Sequence, residues 1–201
     1  MDLRLKILQA GEPVLRQKAR QLSVEEIRSG ATQELIDLMR ETMRDAPGVG
    51  LAAPQIGLPL QLAVIEDDAE RQSEIPPEVL AKRQRSPVPF HVIINPQLHV
   101  EPGAAVDFFE GCLSLEGFVG LVRRAGTVRV EYLNERAEPV VVQAHGWYAR
   151  ILQHEIDHLH GTLYLDRLSP RSLMTVENFN RYWADKSIEA IRAALEPSDY
   201  H

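Results

Sequence analysis

The sequence predicts one domain in which α-helices and β-strands are mixed. Two features indicate this: segments with the 3.6-residue apolar period of a helix, and short runs rich in β-branched residues that are typical of strands. The chain has 201 residues, of which 44% are hydrophobic, and this is enough for one well-formed core. Residues 1–201 are therefore expected to form a single domain.

Two helices are predicted in the first quarter of the chain. The segment SVEEIRSG opens with a capping-box pattern made by Ser23 and Glu26, and it closes at Gly30. The next segment, ATQELIDLMRETMRDAPG, repeats apolar residues at helical spacing until Pro47. Its methionines are expected in the core.

Two more helices are predicted near the C-terminus. The segment GWYARILQHEIDHLHG has Gly146 before it and Gly161 after it, which are typical helix boundaries. A last amphipathic helix is predicted between Pro170 and Asp185. Residues 186–201 are helix-prone and are expected to form a loosely packed tail.

Four segments are predicted as strands: LQLAVIE, HVIIN, TVRVEYL and PVVVQA. A hairpin is expected between the last two, where Asn134–Arg136 intervenes. Residues 66–90 are charged, hold four prolines and lack sustained periodicity. This segment is predicted to be a surface insertion loop with room for one short helical turn, and loops of such length are often functional or mobile.

Composition limits the partners and the compartment. The formal net charge is −7 and no block of Lys or Arg stands out, so nucleic acid is not an expected partner. The single cysteine, Cys112, rules out a disulfide within the chain and fits a reducing compartment. No apolar run reaches membrane-spanning length, and the N-terminal segment lacks a signal-peptide core. A cytoplasmic location without membrane contact is therefore expected.

The stretch QHEIDHLHG carries the first chemical signal. His154 and His158 are four residues apart, so a helix would place both imidazoles on one face, within reach of one ion. Glu155 directly follows His154 on the predicted helix, and its carboxylate is suited to act as a general base. The alternative is an exposed, charged helix face. Apolar neighbours such as Ile151 and Ile156 argue against full exposure.

A catalytic metal needs a third protein ligand, and two candidates stay open. Tyr164 stands where one group of zinc proteases has a third histidine, so that group is disfavoured. Glu177 is one alternative. Cys112, in EGCLSLEG, is the other, because a thiolate and two imidazoles suit Zn²⁺ or Fe²⁺ and leave a position open for water. A lone cysteine is more often a small buried hydrophobe. Gly111 before it would let the backbone approach a site closely.

The stretch GVGLAAPQIG is predicted to be a tight loop between a helix and a strand. Such a loop would bring its backbone close to a bound ligand and would place Gln55 next to it. The side-chain amide of Gln55 can donate a hydrogen bond to a developing oxyanion. The alternative is a turn whose glycines serve only its conformation.

Together these three stretches resemble the peptide deformylase family, which is marked by G-x-G-x-A-A-x-Q, E-G-C-x-S and Q-H-E-x-D-H. This sequence has GVGLAAPQ, EGCLS and QHEIDH in the same order and without a mismatch. The flanking stretches ILQAGEPVLRQKA, VIINPQL and GTLYLDRL also resemble the family, so the resemblance covers about residues 5 to 183. GFVGLVRR and SPRSLMTVEN are most similar to members typified by plant organellar and some bacterial enzymes.

The resemblance implies an α+β fold in which antiparallel sheets surround a central helix carrying HEIDH, with a C-terminal helix. It implies one catalytic domain that hydrolyses the N-formyl group of formyl-methionine at the start of newly synthesised proteins, releasing formate. One divalent metal ion per chain is implied, Fe²⁺ natively, with Zn²⁺, Ni²⁺ or Co²⁺ able to occupy the site. The implied ligands are Cys112, His154 and His158.

The resemblance also implies roles for other residues. Glu155 would act as general base and then acid, while Gln55 and the backbone N–H of Leu113 would stabilise the oxyanion. Implied substrate contacts come from the cleft backbone and from an apolar methionine pocket. These residues are Val49, Gly50, Phe108, Gly111, Trp147 and Ile151, although core packing explains the apolar ones equally well. Nascent formylmethionyl peptides are the implied partners, together with the ribosome near its exit tunnel, although the C-terminal segment here is not basic.

Two other hypotheses remain. The first is a metallopeptidase with Glu177 as third ligand. Such an enzyme would cleave internal peptide bonds, and its activity would be retained after the substitution Cys112→Ser. The second is a structural metal or peptide-binding module without turnover. The glutamate between the two histidines is hard to explain on that view.

Overall fold

Two antiparallel sheets make up the β-structure of the protein. A computed structural model describes residues 4–46 and 48–195, and within these ranges there are eight strands, seven α-helices and four short 3₁₀ helices. The strands are β1 (Gly50–Ala52), β2 (Leu62–Asp67), β3 (Val88–Val100), β4 (Ala105–Cys112), β5 (Leu115–Ala125), β6 (Thr127–Leu133), β7 (Pro139–His145) and β8 (Met174–Thr175). The helices are α1 (Val24–Arg28), α2 (Gly30–Asp45), α3 (Ala69–Gln72), α4 (Pro77–Arg83), α5 (Gly146–Leu159), α6 (Val176–Tyr182) and α7 (Ile188–Leu195).

Helix α5 lies between the two sheets. The five-stranded sheet has the order β1-β2-β3-β6-β7, and the three-stranded sheet has the order β4-β5-β8. Leu152 and Ile156 of α5 are buried in one cluster with residues of the larger sheet. On the other side, the Gln153 side chain accepts from the Ala125 N–H (3.1 Å) and donates to its carbonyl (2.9 Å), which fastens α5 to β5. The expected α+β fold, with antiparallel sheets around the helix that carries HEIDH, is confirmed.

Helix α2 covers the opposite face of the larger sheet. Its methionines, Met39 and Met43, are fully buried and pack in a cluster that includes Val64 and Val92. Because successive strand residues point to opposite faces, Val64 faces α2 while Ala63 faces α5. Both faces of β2 are therefore buried, which explains its nearly continuous apolar sequence.

The predicted capping box and hairpin are both present. The Glu26 N–H donates to Ser23 Oγ (3.2 Å), and the Ser23 N–H donates to Glu26 Oε2 (2.8 Å). Strands β6 and β7 pair antiparallel across the predicted turn. In that turn the Asn134 side chain accepts from the N–H groups of Arg136 (3.0 Å) and Glu138 (2.9 Å).

The segment 66–90 is more ordered than a single surface loop. It holds the end of β2, the helices α3 and α4, and the start of β3. Asp67 is fully buried, and Arg85 donates to its two oxygens at 2.8 Å each. Gln72 Nε2 also donates to Asp67 Oδ2 (3.0 Å). A buried ion pair thus closes the segment, and the sequence pattern gave no sign of it.

The C-terminal part also differs from the expectation. The predicted helix at 170–185 is limited to α6, and β8 precedes it. In α7, Ile191 is almost fully buried against Phe109 and Leu121. The first part of the expected loose tail is therefore packed against the smaller sheet, whereas residues 196–201 lie outside the described residues. Among the described helices, none combines the length and the apolar character needed to cross a membrane.

Candidate metal centre

Three of the ligand candidates, Cys112, His154 and His158, meet at the junction of β4 and α5. His154 and His158 lie one turn apart on α5, and Cys112 ends β4 at a point where the strand register shifts. Such a bulge re-aims a side chain. The ligand atoms of the three residues lie within 4.8 Å of one another, and Cys112 Sγ is 3.3 Å from His158 Nε2.

The electrostatics of this group favour metal binding. Burial alone would raise the pKa of the Cys112 thiol, but His158 and His154 hold it well below its ordinary value. A thiolate is the form of cysteine that binds metals. Burial likewise opposes charge on His154, yet Cys112 and Glu110 raise its pKa well above the ordinary value. One sulfur and two nitrogens on a rigid strand and helix fit a divalent transition-metal ion and leave a position open.

Glu177 lies outside this group. It is exposed on α6, and its nearest ion-pair partner is Arg181 at 3.9 Å. Tyr164, at the position of a third histidine in some zinc proteases, is buried, and its ring stacks on that of His154 at a centroid distance of 6.3 Å. Of the two candidates for the third ligand, the structure brings Cys112 to the histidines.

Glu110 orients His154. Its Oε2 is 3.0 Å from His154 Nδ1, and Arg124 donates to both of its oxygens (2.7 and 2.9 Å). Burial would raise the pKa of Glu110, but the contacts to His154 and Arg124 hold it far below the ordinary value. A carboxylate that holds Nδ1 directs Nε2 toward the metal position.

Asp157 has a different partner. Arg124 donates to Asp157 Oδ2 at 2.7 Å, and Arg167 donates to both Asp157 oxygens at 2.6 and 2.7 Å. The neighbouring Arg123 is exposed. Arg124 therefore joins the carboxylate that holds His154 to a second carboxylate on α5.

Glu155 is buried next to the three ligands. Burial raises the pKa of its carboxyl group, while the two histidines act in the opposite direction. Its Oε2 is buried without a hydrogen-bond partner among the described residues. The carboxyl group is therefore able to accept a proton and release it again.

Hydrogen-bond donors lie on the other side of Cys112. Gln55, in a short 3₁₀ helix after β1, is held by the Ala52 N–H, which donates to its Oε1 at 2.8 Å. Its Nε2 donates to Ser114 Oγ at 3.2 Å and lies 3.6 Å from Cys112 Sγ. The backbone N–H of Leu113 has no acceptor within the described part of the chain. The site thus has two donors suited to an oxyanion.

A cleft of about 940 Å³ opens over this centre. Five of the six residues expected to contact substrate line it: Val49, Gly50, Gly111, Trp147 and Ile151. Phe108 does not line this cleft. It contacts the Trp147 ring edge-on at 6.2 Å and lines a smaller neighbouring cavity. Side chains of successive strand residues point to opposite faces of the sheet, so the next residue, Phe109, faces the main cleft instead.

Sequence reasoning missed several residues of the cleft wall. Arg83, Arg85 and Arg150 all line it. The first two come from the segment that was predicted as an insertion loop, and the third is on α5, four residues before His154. That spacing could have indicated Arg150, because residues four apart share a helix face.

Replacing Glu110 by glutamine should weaken metal binding about 10–100-fold, because the amide no longer holds His154 as a carboxylate does. The change also leaves Arg124 and Arg150 without their shared buried counter-charge, so stability should fall as well. Competition with a chromophoric chelator measures the first effect and thermal unfolding the second. Glu66→Gln is the matched control, since Glu66 pairs with Arg44 away from the centre. Unchanged metal affinity in Glu110→Gln would contradict the orienting role.

The fold and the site define a class: metal-binding HExxH proteins in which a cysteine from a neighbouring sheet completes the donor set. The sequence matches the polypeptide deformylase family over residues 4–173. The chain belongs to this family.

Relatives and solved structures agree with this assignment. Peptide deformylase 1A, chloroplastic, of Solanum lycopersicum is 47% identical over 174 residues, which are 87% of this chain and 63% of the relative. Peptide deformylase 3 of Streptomyces avermitilis is 44% identical over 191 residues, 95% of this chain and 83% of the relative. The chain spans just under two thirds of the tomato protein and of its Arabidopsis thaliana counterpart, at 63% and 65%.

Among solved structures, the Met-Ala-Ser-bound class I type b peptide deformylase of Acinetobacter baumannii aligns with a TM-score of 0.73 and 32% identity, covering 84% of this chain and 100% of that one. Peptide deformylase of Thermotoga maritima aligns with a TM-score of 0.68 and 33% identity, covering 84% and 99%.

Proposed function

We propose that this protein hydrolyses the N-formyl group from the formyl-methionine of newly synthesised chains. The observation that carries the proposal is the position of Glu155, a buried carboxyl group without a hydrogen-bond partner among the described residues, beside Cys112, His154 and His158. Membership of the polypeptide deformylase family and the cleft over the centre support it.

In the proposed mechanism, Cys112, His154 and His158 hold one divalent ion. When bound, such an ion would supply Lewis acidity, which lowers the pKa of water to roughly 7. Glu155 takes a proton from the water that attacks the formyl carbon. Burial raises the pKa of Glu155, which favours the protonated form that serves next as an acid.

Charge and proton then move between groups of this chain and the substrate. Negative charge grows on the formyl oxygen, where Gln55 Nε2 and the Leu113 N–H donate hydrogen bonds. Glu155 gives its proton to the leaving nitrogen as the carbon–nitrogen bond breaks. Formate and a chain with a free methionine amine are the products.

We further propose Fe²⁺ as the native ion, with Zn²⁺, Ni²⁺ or Co²⁺ able to occupy the same donors. The proposed substrates are nascent formylmethionyl chains, met where the ribosome exit tunnel releases them. In a bacterial cell this is the cytoplasm, whereas the tomato relative is named as chloroplastic and the human relative as mitochondrial.

The test is formate release from formyl-Met-Ala-Ser by protein prepared without oxygen and loaded with Fe²⁺ or Ni²⁺. Acetyl-Met-Ala-Ser is the matched control, and a chelator followed by added metal tests dependence on the ion. We expect metal-dependent formate release and no deacetylation. Cleavage of an internal bond in a blocked peptide, without formate release, would favour the metallopeptidase hypothesis and overturn the proposal.

A further inference from the structure

The turn that carries the Leu113 N–H joins β4 to β5. Cys112, the last residue of β4, pairs with Leu115, the first residue of β5, so the loop between them consists of Leu113 and Ser114. Two-residue loops between antiparallel strands usually form type I′ or II′ turns, which need a residue with positive φ. Neither Leu113 nor Ser114 has a positive φ. The turn is therefore not of the favoured types, and contacts from other parts of the chain help to hold it.

The side chain of Gln9 makes two of these contacts. Gln9 Nε2 donates to the Leu113 carbonyl at 2.9 Å, and the Glu116 N–H donates to Gln9 Oε1 at 3.2 Å. Gln9 itself is exposed at the rim of the cleft. The two arms of one amide side chain thus hold the turn from both of its ends.

The backbone on either side of Gln9 contacts both oxyanion donors. The Leu8 N–H donates to the Gln55 carbonyl at 2.8 Å, and the Ala10 N–H donates to the Ser114 carbonyl at 2.7 Å. Ser114 Oγ in turn accepts from Gln55 Nε2 at 3.2 Å. Residues 8–10 therefore connect the turn to the backbone of Gln55, which fixes the spacing between the two donors.

We propose that Gln9 is a positioning residue, which holds the turn so that the Leu113 N–H meets the developing oxyanion. This inference rests on the proposed function. A donor stabilises an oxyanion only at hydrogen-bond distance, and a displacement of about 1 Å can cost about 10²-fold in rate. Because Gln9 acts through the turn, its loss should lower kcat and leave KM nearly unchanged.

Replacing Gln9 by methionine tests the inference, because methionine keeps the length of the side chain and loses both hydrogen bonds. With formyl-Met-Ala-Ser, we expect kcat to fall about 5–20-fold, which is less than the loss from removing a whole oxyanion donor. KM should change by less than about two-fold. Gln9→Glu can still accept from the Glu116 N–H but has no donor for the Leu113 carbonyl, so its kcat should also fall.

Gln17→Met is the matched control, since Gln17 is an exposed glutamine of the N-terminal segment that does not line the cleft. It should keep the wild-type kcat. Metal content and the midpoint of thermal unfolding are measured for each variant, so that rates refer to folded, metal-loaded protein. An unchanged kcat in Gln9→Met, or a loss that appears in KM alone, would overturn the inference.

Failure of this inference can be distinguished from failure of the proposed function. Formate release by the wild type reports the proposed function. If the wild type releases no formate, amide hydrogen exchange of residues 113–116 still tests the contact that Gln9 makes. Exchange should be faster in Gln9→Met than in the wild type and in Gln17→Met. Equal exchange rates in the three proteins would show that Gln9 does not hold the turn.

Discussion

Replacing Glu155 by glutamine should lower kcat/KM for formate release about 10²–10⁴-fold, the usual contribution of a general acid–base group. Glutamine keeps the shape of the side chain but cannot take a proton from water or deliver one to the leaving amine. Because burial raises the pKa of Glu155, a neutral isostere at this position costs no additional desolvation. The variant should therefore fold and bind metal much as the wild type does.

Three measurements separate the loss of catalysis from any loss of metal binding or folding. They are formate release, metal content and the midpoint of thermal unfolding. Glu116→Gln is the matched control, since Glu116 is an exposed acid at the rim of the same cleft, and its loss should change the rate by no more than about two-fold. If Glu155→Gln kept near-wild-type turnover with its metal in place, the proposed proton transfer would be wrong.

Replacing Gly50 by alanine should lower turnover about 10²-fold, as a 1 Å misplacement of a reacting group can do. A Cβ at position 50 would lie 2.1 Å from Glu155 Oε1 and 2.4 Å from Glu155 Cδ. Strand β1 is held in register against β2, with Gly50 opposite Ile65. The carboxyl group of Glu155 therefore has to move.

The expected result is a loss of activity with a modest loss of stability, because the clash involves the end of a side chain rather than backbone. Comparison of kcat/KM with the denaturant midpoint tests this separation. Gly30→Ala is the control, since a Cβ at that position meets nothing within 4 Å. Full activity in Gly50→Ala would show that the carboxyl group does not need its present position.

The spacing of residues along the sequence predicted the part of the site that lies on one helix, but it could not predict the part that comes from a strand. His154, Glu155 and His158 share one helix, so a period of 3.6 residues relates them. Cys112 reaches them through the pairing of β4 with β5 and a register shift, which no local pattern encodes. From the residues alone, Glu177 and Cys112 both stay open as the third ligand, and the family resemblance favours Cys112.

Strands β4 and β5 were not predicted, and buried charges are the reason. Glu110 and Arg124 occupy inward positions that an apolar residue would normally take, and each is satisfied by a partner on another element. Strand alternation determines which of two neighbouring arginines can join these buried carboxylates, because Arg124 faces inward and Arg123 faces outward. The same limit applies to Asp67 and Arg85, whose pairing orders the segment 66–90.

The proposed metal ligands come from two different layers of the fold. Cys112 belongs to the three-stranded sheet, whereas His154 and His158 belong to a helix whose apolar face is buried against the five-stranded sheet. An ion held by all three would act as a cross-link between the layers. By mass action, an ion present at 100 times its Kd adds about 2.7 kcal/mol to the free energy of unfolding. The supply of this metal in the cell would then affect the stability of the protein as well as its rate of turnover.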